Sequence, residues 1–255
     1  MMHMESQFYD QLTPFYHLIY PDWESSIARQ AIHLDSLIRE YWGDHAGTVL
    51  DVSCGIGTQA LGLAQRGYAL TASDQSPVAV ERAKHEAMKR GLDIEFSVAD
   101  MREAFEHHRR SFDVVIACDN AIPHLLSDAE ILAALAQFYQ CTTAGGGCII
   151  SVRDYAAMDL RGVQVHPYGV RVEGDRRYLV FQVWEFHGSI YDMSMYFVED
   201  DGRSTCPTYV MRSKYYAVNM ARLMELMIQA GYEKVQRVDG RFFQPVILGT
   251  RLKEA

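Results

Sequence analysis

The residues best spaced to do chemistry lie in TVLDVSCGIGTQALGLAQRGYALTASDQS, Thr48 to Ser76. Asp51 leads into Val52-Ser53-Cys54-Gly55-Ile56-Gly57-Thr58, where Gly55 and Gly57 permit a tight turn and close approach of backbone to a ligand. Gly55-Ile56-Gly57-Thr58-Gln59-Ala60 also fits the G-x-G-x-x-G/A turn that cradles a dinucleotide pyrophosphate. Asp51 argues against that cradle. A carboxylate at the mouth of the turn repels phosphate, but it suits a cation such as an α-ammonium or a sulfonium. Asp74, further along, is placed to accept both hydroxyls of a ribose.

A ligand that joins an adenosine ribose to a positively charged amino-acid tail answers both acids. S-adenosylmethionine is that ligand. The alternatives are a dinucleotide dehydrogenase and a glycine turn that holds nothing. Gln75 adjoins the ribose acid, and Asp100-Met101 follows a third apolar run. There an acid can accept the hydrogen of an exocyclic amine and a methionine can wall an adenine ring, though Asp100 also suits the cap of the next turn. Past a fourth run, Asn120 and His124 are the polar groups, and a lone histidine is more often structural. Arg153 ends a fifth run. Its planar guanidinium can clamp an anion with two prongs, or pair with an acid such as Asp154 or Asp159.

The elements that must position these groups read as an open, doubly wound α/β sheet. Apolar runs and punctuation predict strands at 48–52, 68–73, 94–98, 112–118 and 148–152. Helices are predicted at 58–66, 77–90 and 128–139, the last with Asp128 as its cap and followed by a Gly145-Gly146-Gly147 turn. The fourth strand lies beside the first in such a sheet, so its carboxyl end opens at the switch point where ligands bind. Residues 156–214 have another texture: alternating, tyrosine-rich runs between Gly-containing turns predict three or four antiparallel strands inserted over the site. A helix at 219–230 and strands at 232–239 and 242–250 close the chain. Before the first strand, Asp22 reads as the cap of a helix, and Phe8, Tyr9, Phe15, Tyr16, Tyr20 and Trp23 form a dense aromatic group. That group suits either a helix packed on the core or a lid facing the ligand.

With 255 residues, 49% hydrophobic and 22% charged, the chain reads as one domain, 1–255, with an inserted lid. The parts are an N-terminal helical lid at 1–45, a nucleoside-binding core at 46–153 and 215–255, and the inserted β lid at 154–214. A net charge of −9 disfavours nucleic acid or an acidic membrane as partner. No apolar run reaches membrane-spanning length, and the first residues do not read as a signal peptide. The five cysteines are scattered, without a C-x-x-C, so neither a metal site nor a disulfide framework is indicated and the expected compartment is the cytoplasm.

The run D-V-S-C-G-I-G-T resembles the signature of class I S-adenosylmethionine-dependent methyltransferases. FYDQLTPFYHLIYPDWESSIARQ, ACDNAIPHL, IISVRDY and FFQPVILGTR together resemble bacterial glycine/sarcosine N-methyltransferases over almost the whole chain. The resemblance implies a Rossmann-like fold, with a seven-stranded, mostly parallel sheet whose last strand is antiparallel. It implies that Tyr16, Trp23 and Arg29 contact the cofactor with Ser53, Asp74, Asp100, Met101 and Cys118. It implies that Asn120, Arg153 and Tyr215 contact a small amino-acid acceptor such as glycine or sarcosine. The expected assembly is a monomer or small homo-oligomer. Methylation of another small metabolite, at oxygen or nitrogen, is the alternative within enzymes. A non-catalytic protein that binds S-adenosylmethionine is the alternative outside them.

Overall fold

The computed structural model describes residues 2–253. Helix α1 (Met2–Leu12), a 3-10 turn (Thr13–Ile19) and α2 (Trp23–Trp42) precede the first strand. Asp22 caps α2, its carboxylate accepting the Ser25 N–H at 3.0 Å. There follow β1 (Thr48–Asp51), α3 (Thr58–Gln65), β2 (Ala69–Asp74), α4 (Pro77–Lys89) and β3 (Ile94–Val98), close to the expected bounds. A short α5 (Ala104–His108) leads to β4 (Phe112–Ala117).

Two expectations then need correction. Helix α6 (Asp128–Cys141) is capped by Ser127, whose Oγ accepts the Glu130 N–H at 3.3 Å, not by Asp128, which sits inside the first turn. Gly145-Gly146-Gly147 is not a turn but part of β5 (Thr142–Ser151). A Cβ at Gly147 would overlap the Trp42 indole and one at Gly146 the Asp113 carbonyl oxygen, so these glycines admit close neighbours to a strand.

Strands β6 (Val163–Glu173), β7 (Arg176–His187), β8 (Ile190–Asp200) and β9 (Thr208–Tyr216) form the inserted antiparallel meander, four strands in order. Then come α7 (Met220–Gln229), β10 (Glu233–Val238) and β11 (Val246–Thr250). The main sheet has seven strands in the order β10-β11-β5-β4-β1-β2-β3. β1 pairs in parallel with β2 on one side and β4 on the other, and β11 runs antiparallel to both β5 and β10. The chain reverses direction across the sheet at β1 and β4, which opens a crevice at their carboxyl ends.

Both faces of this sheet are covered, as its parallel strands require. Val49, Val114, Ile116 and Ile149 pack with Leu34, Leu37 and Ile38 of α2 and Ala60 and Leu63 of α3. Leu50, Val115, Cys148 and Ile150 face the other way, into a core that holds α6 and α7. That second core continues into the meander through Tyr191, Met193, Met195 and Phe197, and into α1 through Phe8 and Leu12. The N-terminal segment is latched to the meander. Arg171 of β6 donates to the Tyr20 carbonyl at 2.9 Å and the Ile19 carbonyl at 3.4 Å, and His17 lies 2.7 Å from Glu173.

Candidate active site

A cavity of about 680 Å³ opens at the carboxyl ends of β1, β2 and β4. Its floor is the glycine turn. Gly55 and Gly57 have φ of 52° and 93°, a region that favours glycine. A Cβ on Gly55 would come within 3.1 Å of the Tyr16 ring, which covers the turn from above.

The two acids of the opening motif lie below this floor and at its side. Asp74 lines the cavity; its oxygens accept the N–H groups of Gly55 and Ser76, each at 2.9 Å. Asp51 is buried, with one oxygen accepting the Ser53 N–H at 3.2 Å and Oδ2 without a partner. The Ser53 hydroxyl is likewise buried and unbonded. Burial pushes the Asp51 carboxyl up to about 7, the Ser53 N–H opposes this, and the charge of Asp74 adds to it. Two unsatisfied polar groups beneath a roomy cavity fit a ligand that brings hydrogen-bond donors and a positive charge.

At the far wall, Asp100 both caps a 3-10 turn, accepting the Arg102 N–H at 2.8 Å, and pairs with the Arg102 guanidinium at 2.6 Å. Gln75, Asp100, Met101 and Cys118 line the cavity beside it. Tyr9, Tyr16 and Tyr20 close it from the N-terminal segment, while Phe8 lies buried in the core and Phe15 stacks on Phe197 of the meander at 5.1 Å. Tyr9, Tyr16 and Tyr20 thus border the cavity, whereas Phe8 and Phe15 pack with the core.

A second cavity of about 400 Å³ adjoins the first, sharing Tyr9, Tyr16 and Asp119 with it. Arg153, Tyr168, Gln182 and Tyr215 supply its polar wall, and Phe8, Leu12, Met193 and Met195 its apolar wall. The Arg153 guanidinium sits over the Trp184 ring, 5.1 Å from its centroid, and His166 stacks on the same indole at 3.7 Å. No carboxylate of the described residues pairs with Arg153; the expected alternatives, Asp154 and Asp159, pair with Arg237 and Arg161.

Residues 49–146 match the family described as a methyltransferase domain. A 2-heptyl-1-hydroxyquinolin-4(1H)-one methyltransferase of Mycobacteroides abscessus is 32% identical over 168 residues, which span 64% of this chain and 68% of that relative. The chain belongs to the S-adenosylmethionine-dependent methyltransferases. A glycine/sarcosine N-methyltransferase of Parasynechococcus marenigrum is 29% identical over 134 residues, 52% of this chain. The match spans about half of that relative's length, 46%. Among solved structures, a S-adenosylmethionine-bound amino-pentose methyltransferase of calicheamicin biosynthesis, from Micromonospora echinaspora, superposes with a TM-score of 0.77 at 21% identity. The superposition covers 89% of this chain and 92% of that one. S-adenosylmethionine is thus the cofactor indicated, and the seven-stranded sheet is the class I methyltransferase fold.

Not every candidate residue of this methyltransferase reaches a cavity. Arg29 is exposed on α2 and its nearest side-chain partner is Ser26, at 3.4 Å. The Trp23 indole N–H is taken by the Thr58 hydroxyl at 2.9 Å. Asn120 is buried, its carboxamide tied between the Arg153 N–H at 3.1 Å and the Tyr155 hydroxyl at 3.0 Å. It holds the Arg153 backbone and lines neither cavity. His124 does line the first cavity, 2.7 Å from the Tyr9 hydroxyl, and burial and then the charge of Arg153 push its imidazole down to about 3. It is a neutral partner of Tyr9 at physiological pH. Asp119, Thr58, Gln59, Tyr168 and Gln182 line the cavities without having been singled out as candidates in the sequence. For Asp119 a signal existed: Asp-Asn at a strand end is a pair that tolerates left-handed backbone.

Among the described residues, no cluster of His, Cys, Asp or Glu is placed to hold a metal, and no helix is long and apolar enough to cross a membrane.

Proposed function

We propose that the chain methylates the amino group of a small amino acid such as glycine or sarcosine. One observation carries this reading: Arg153 forms part of the second cavity's wall and, among the described residues, is ion-paired with no carboxylate. A guanidinium held on an indole and among tyrosines, away from bulk water, is costly unless an anion completes it. An acceptor's carboxylate is such an anion, and a two-pronged contact would aim the amine toward the first cavity.

In this reading Asp51 and Ser53 meet the donor's α-ammonium, Asp74 its ribose hydroxyls, and Asp100, Met101 and Cys118 its adenine side. Gly55 and Gly57 let the backbone approach, and Tyr16 covers the turn. S-adenosylmethionine supplies an activated methyl group, so the chain's task is alignment more than activation. Tyr168 and Tyr215 stand beside Arg153 around the carboxylate, and the N-terminal segment with Tyr9, Tyr16 and Tyr20 excludes water. A second reading, a ring-shaped acceptor without a carboxylate, draws support from the quinolone relative and from the apolar wall of Phe8, Leu12, Met193 and Met195.

The deciding assay follows transfer of labelled methyl to glycine, sarcosine and dimethylglycine, beside uncharged amines and phenols. Arg153→Lys keeps the charge and loses the planar fork, so it is not a conservative change here. With sarcosine, kcat/KM is expected to fall about 10²-fold or more, about 2.7 kcal/mol of transition-state stabilisation. Affinity for S-adenosylhomocysteine should stay within twofold. Methylation of carboxylate-free acceptors only would remove the clamp and leave the ring-acceptor reading.

A further inference from the structure

Asp119 stands where the two cavities meet and lines both. Its backbone is left-handed, with φ of 56°, and so is that of Asn120, at 64°. Two such residues in succession cost about 1–3 kcal/mol each, so the surroundings must hold them. Ser151 does so from both its polar groups: its Oγ accepts the Asp119 N–H at 2.8 Å and its carbonyl the Asn120 N–H at 3.0 Å. The strained turn directs the Asn120 carboxamide inward, to Arg153 and Tyr155, and leaves the Asp119 carboxylate at the junction. Tyr20 donates to Oδ2 at 2.9 Å. Oδ1 accepts no hydrogen bond from the described residues, and the residue lines both cavities. The second cavity therefore offers one acid and one guanidinium, Asp119 and Arg153, to whatever enters it. An amino acid carries the complementary pair of charges.

We propose that Asp119 is a catalytic residue: it binds the acceptor's ammonium and takes the proton that must leave before nitrogen can bond to the methyl carbon. The proposal rests on the amino-acid reading above. One proton passes from R–NH3⁺ to Oδ1, and Asp119 becomes a neutral carboxyl. The freed lone pair forms the N–CH3 bond while the donor's C–S bond breaks and its electron pair stays on sulfur. The product leaves as a methylated ammonium, and Asp119 returns its proton to water. One ammonium and one sulfonium thus yield one methylated ammonium, one thioether and one proton. Burial raises the Asp119 carboxyl, with the Tyr20 hydrogen bond and Arg153 pulling it back. In a water-poor cavity the charged pair loses hydration, which narrows the gap between a carboxyl and an ammonium.

The test reads binding as well as turnover. Calorimetry with saturating S-adenosylhomocysteine compares glycine, acetate and ethylamine on wild type and Asp119→Asn. Wild type should prefer glycine over acetate by tenfold or more, and Asp119→Asn should lose that preference together with ethylamine binding. Ethylamine binding without glycine or acetate would sink the carboxylate clamp alone. Amine binding indifferent to Asp119→Asn, or absent from wild type, overturns the assignment. In turnover with sarcosine at pH 7, or with ethylamine should the clamp fail, kcat/KM should fall 10²- to 10⁴-fold in Asp119→Asn. The variant's residual rate should climb tenfold per pH unit toward the free amine's own pKa, while wild type levels off above the titration of Asp119.

With S-adenosylmethionine saturating, so that Asp51 is already committed to the cofactor, the other groups around Asp119 do not supply that limb, and His124 is held down to about 3. Burial raises Tyr9, Tyr16, Tyr20, Tyr168 and Cys118, and Arg153 stays charged. Tyr20→Phe removes the bond to Oδ2 and leaves the strained backbone intact, so it should move the acid limb of kcat/KM to higher pH. It decides the matter should Asp119→Asn fail to bind S-adenosylhomocysteine, and an unmoved limb would count against the proposal.

Discussion

At the scale of residues, Asp51 shows how a motif acid works from beneath a site. Its carboxyl is raised to about 7 by burial, above its ordinary value of 3.8 in the unfolded chain. The folded protein therefore holds a proton there that the unfolded chain releases. Asp51's contribution to stability is favourable below about pH 4 and is lost as pH rises through 7. An ammonium placed against the unpartnered Oδ2 reverses the preference and favours the charged form. Binding of S-adenosylhomocysteine, which carries that ammonium, should release up to one proton at pH 6, and its affinity should rise with pH and flatten above 7. Asp51→Asn should melt higher than wild type at pH 8 without ligand, yet bind S-adenosylhomocysteine about 10²-fold more weakly, the scale of hydrogen bonds to a charged group. Calorimetry in two buffers of different ionisation enthalpy at pH 6 and 8 measures the proton; equal affinity at both pH values would place the ammonium elsewhere. Asp51 stood out in the sequence because a carboxylate at the mouth of the turn conflicts with a pyrophosphate. Asp119 did not, although Asp-Asn at a strand end tolerates the left-handed backbone that both residues adopt.

At the scale of elements, β1 to β4, α3 and α4 were legible because hydrophobic run, glycine and cap agree there, whereas the short α5 was not read. β5 was obscured where packing overrode local preference: a glycine run that read as a turn lies within the strand, where Gly146 and Gly147 admit the backbone of β4 and the Trp42 indole. The meander's strands were legible from alternation, but their pairing with the N-terminal segment was not, since Arg171 and His17 meet partners over 150 positions away. These latches make the segment's role testable. Residues 13–20 are held by a few exchangeable contacts, each worth about 1 kcal/mol, and they carry two of the tyrosines that close the first cavity. Hydrogen exchange across residues 8–29 should slow several-fold with S-adenosylhomocysteine bound. Arg171→Ala frees the Ile19 and Tyr20 carbonyls and should speed exchange at residues 13–20 in the ligand-free protein. Protection unchanged by ligand would make the segment ordinary core packing with no covering role.

At the scale of the whole molecule, the order of the seven strands follows from short right-handed crossovers, so the sheet was readable once its βαβ opening was recognised. How many units unfold together is a separate matter, decided by where apolar side chains meet. One contiguous core holds Leu50 and Val115 of the main sheet, Ile131 and Leu135 of α6, and Tyr191, Met193 and Met195 of the meander. A meander that shares its buried face in this way loses most of its core if it parts from the sheet, and four strands exposing that face are not expected to stand alone. Unfolding is therefore expected to be a single transition, and the three tryptophans can report it. Trp42 lies between α2 and β5, its indole N–H donating to Thr250 at 3.1 Å, whereas Trp184 lies in the meander. Replacing Trp23 and one of the other two by Phe leaves a single reporter in either place. Each variant's urea midpoint should agree between its fluorescence and its far-ultraviolet dichroism. Both should rise together with S-adenosylhomocysteine at a hundred times its dissociation constant, which adds about 2.7 kcal/mol to the folded state. A Trp184 transition that precedes the loss of secondary structure, or that ignores the ligand, would mean the meander opens on its own. The second cavity, whose wall includes Gln182, Met193, Met195 and Tyr215, would then form only on closure.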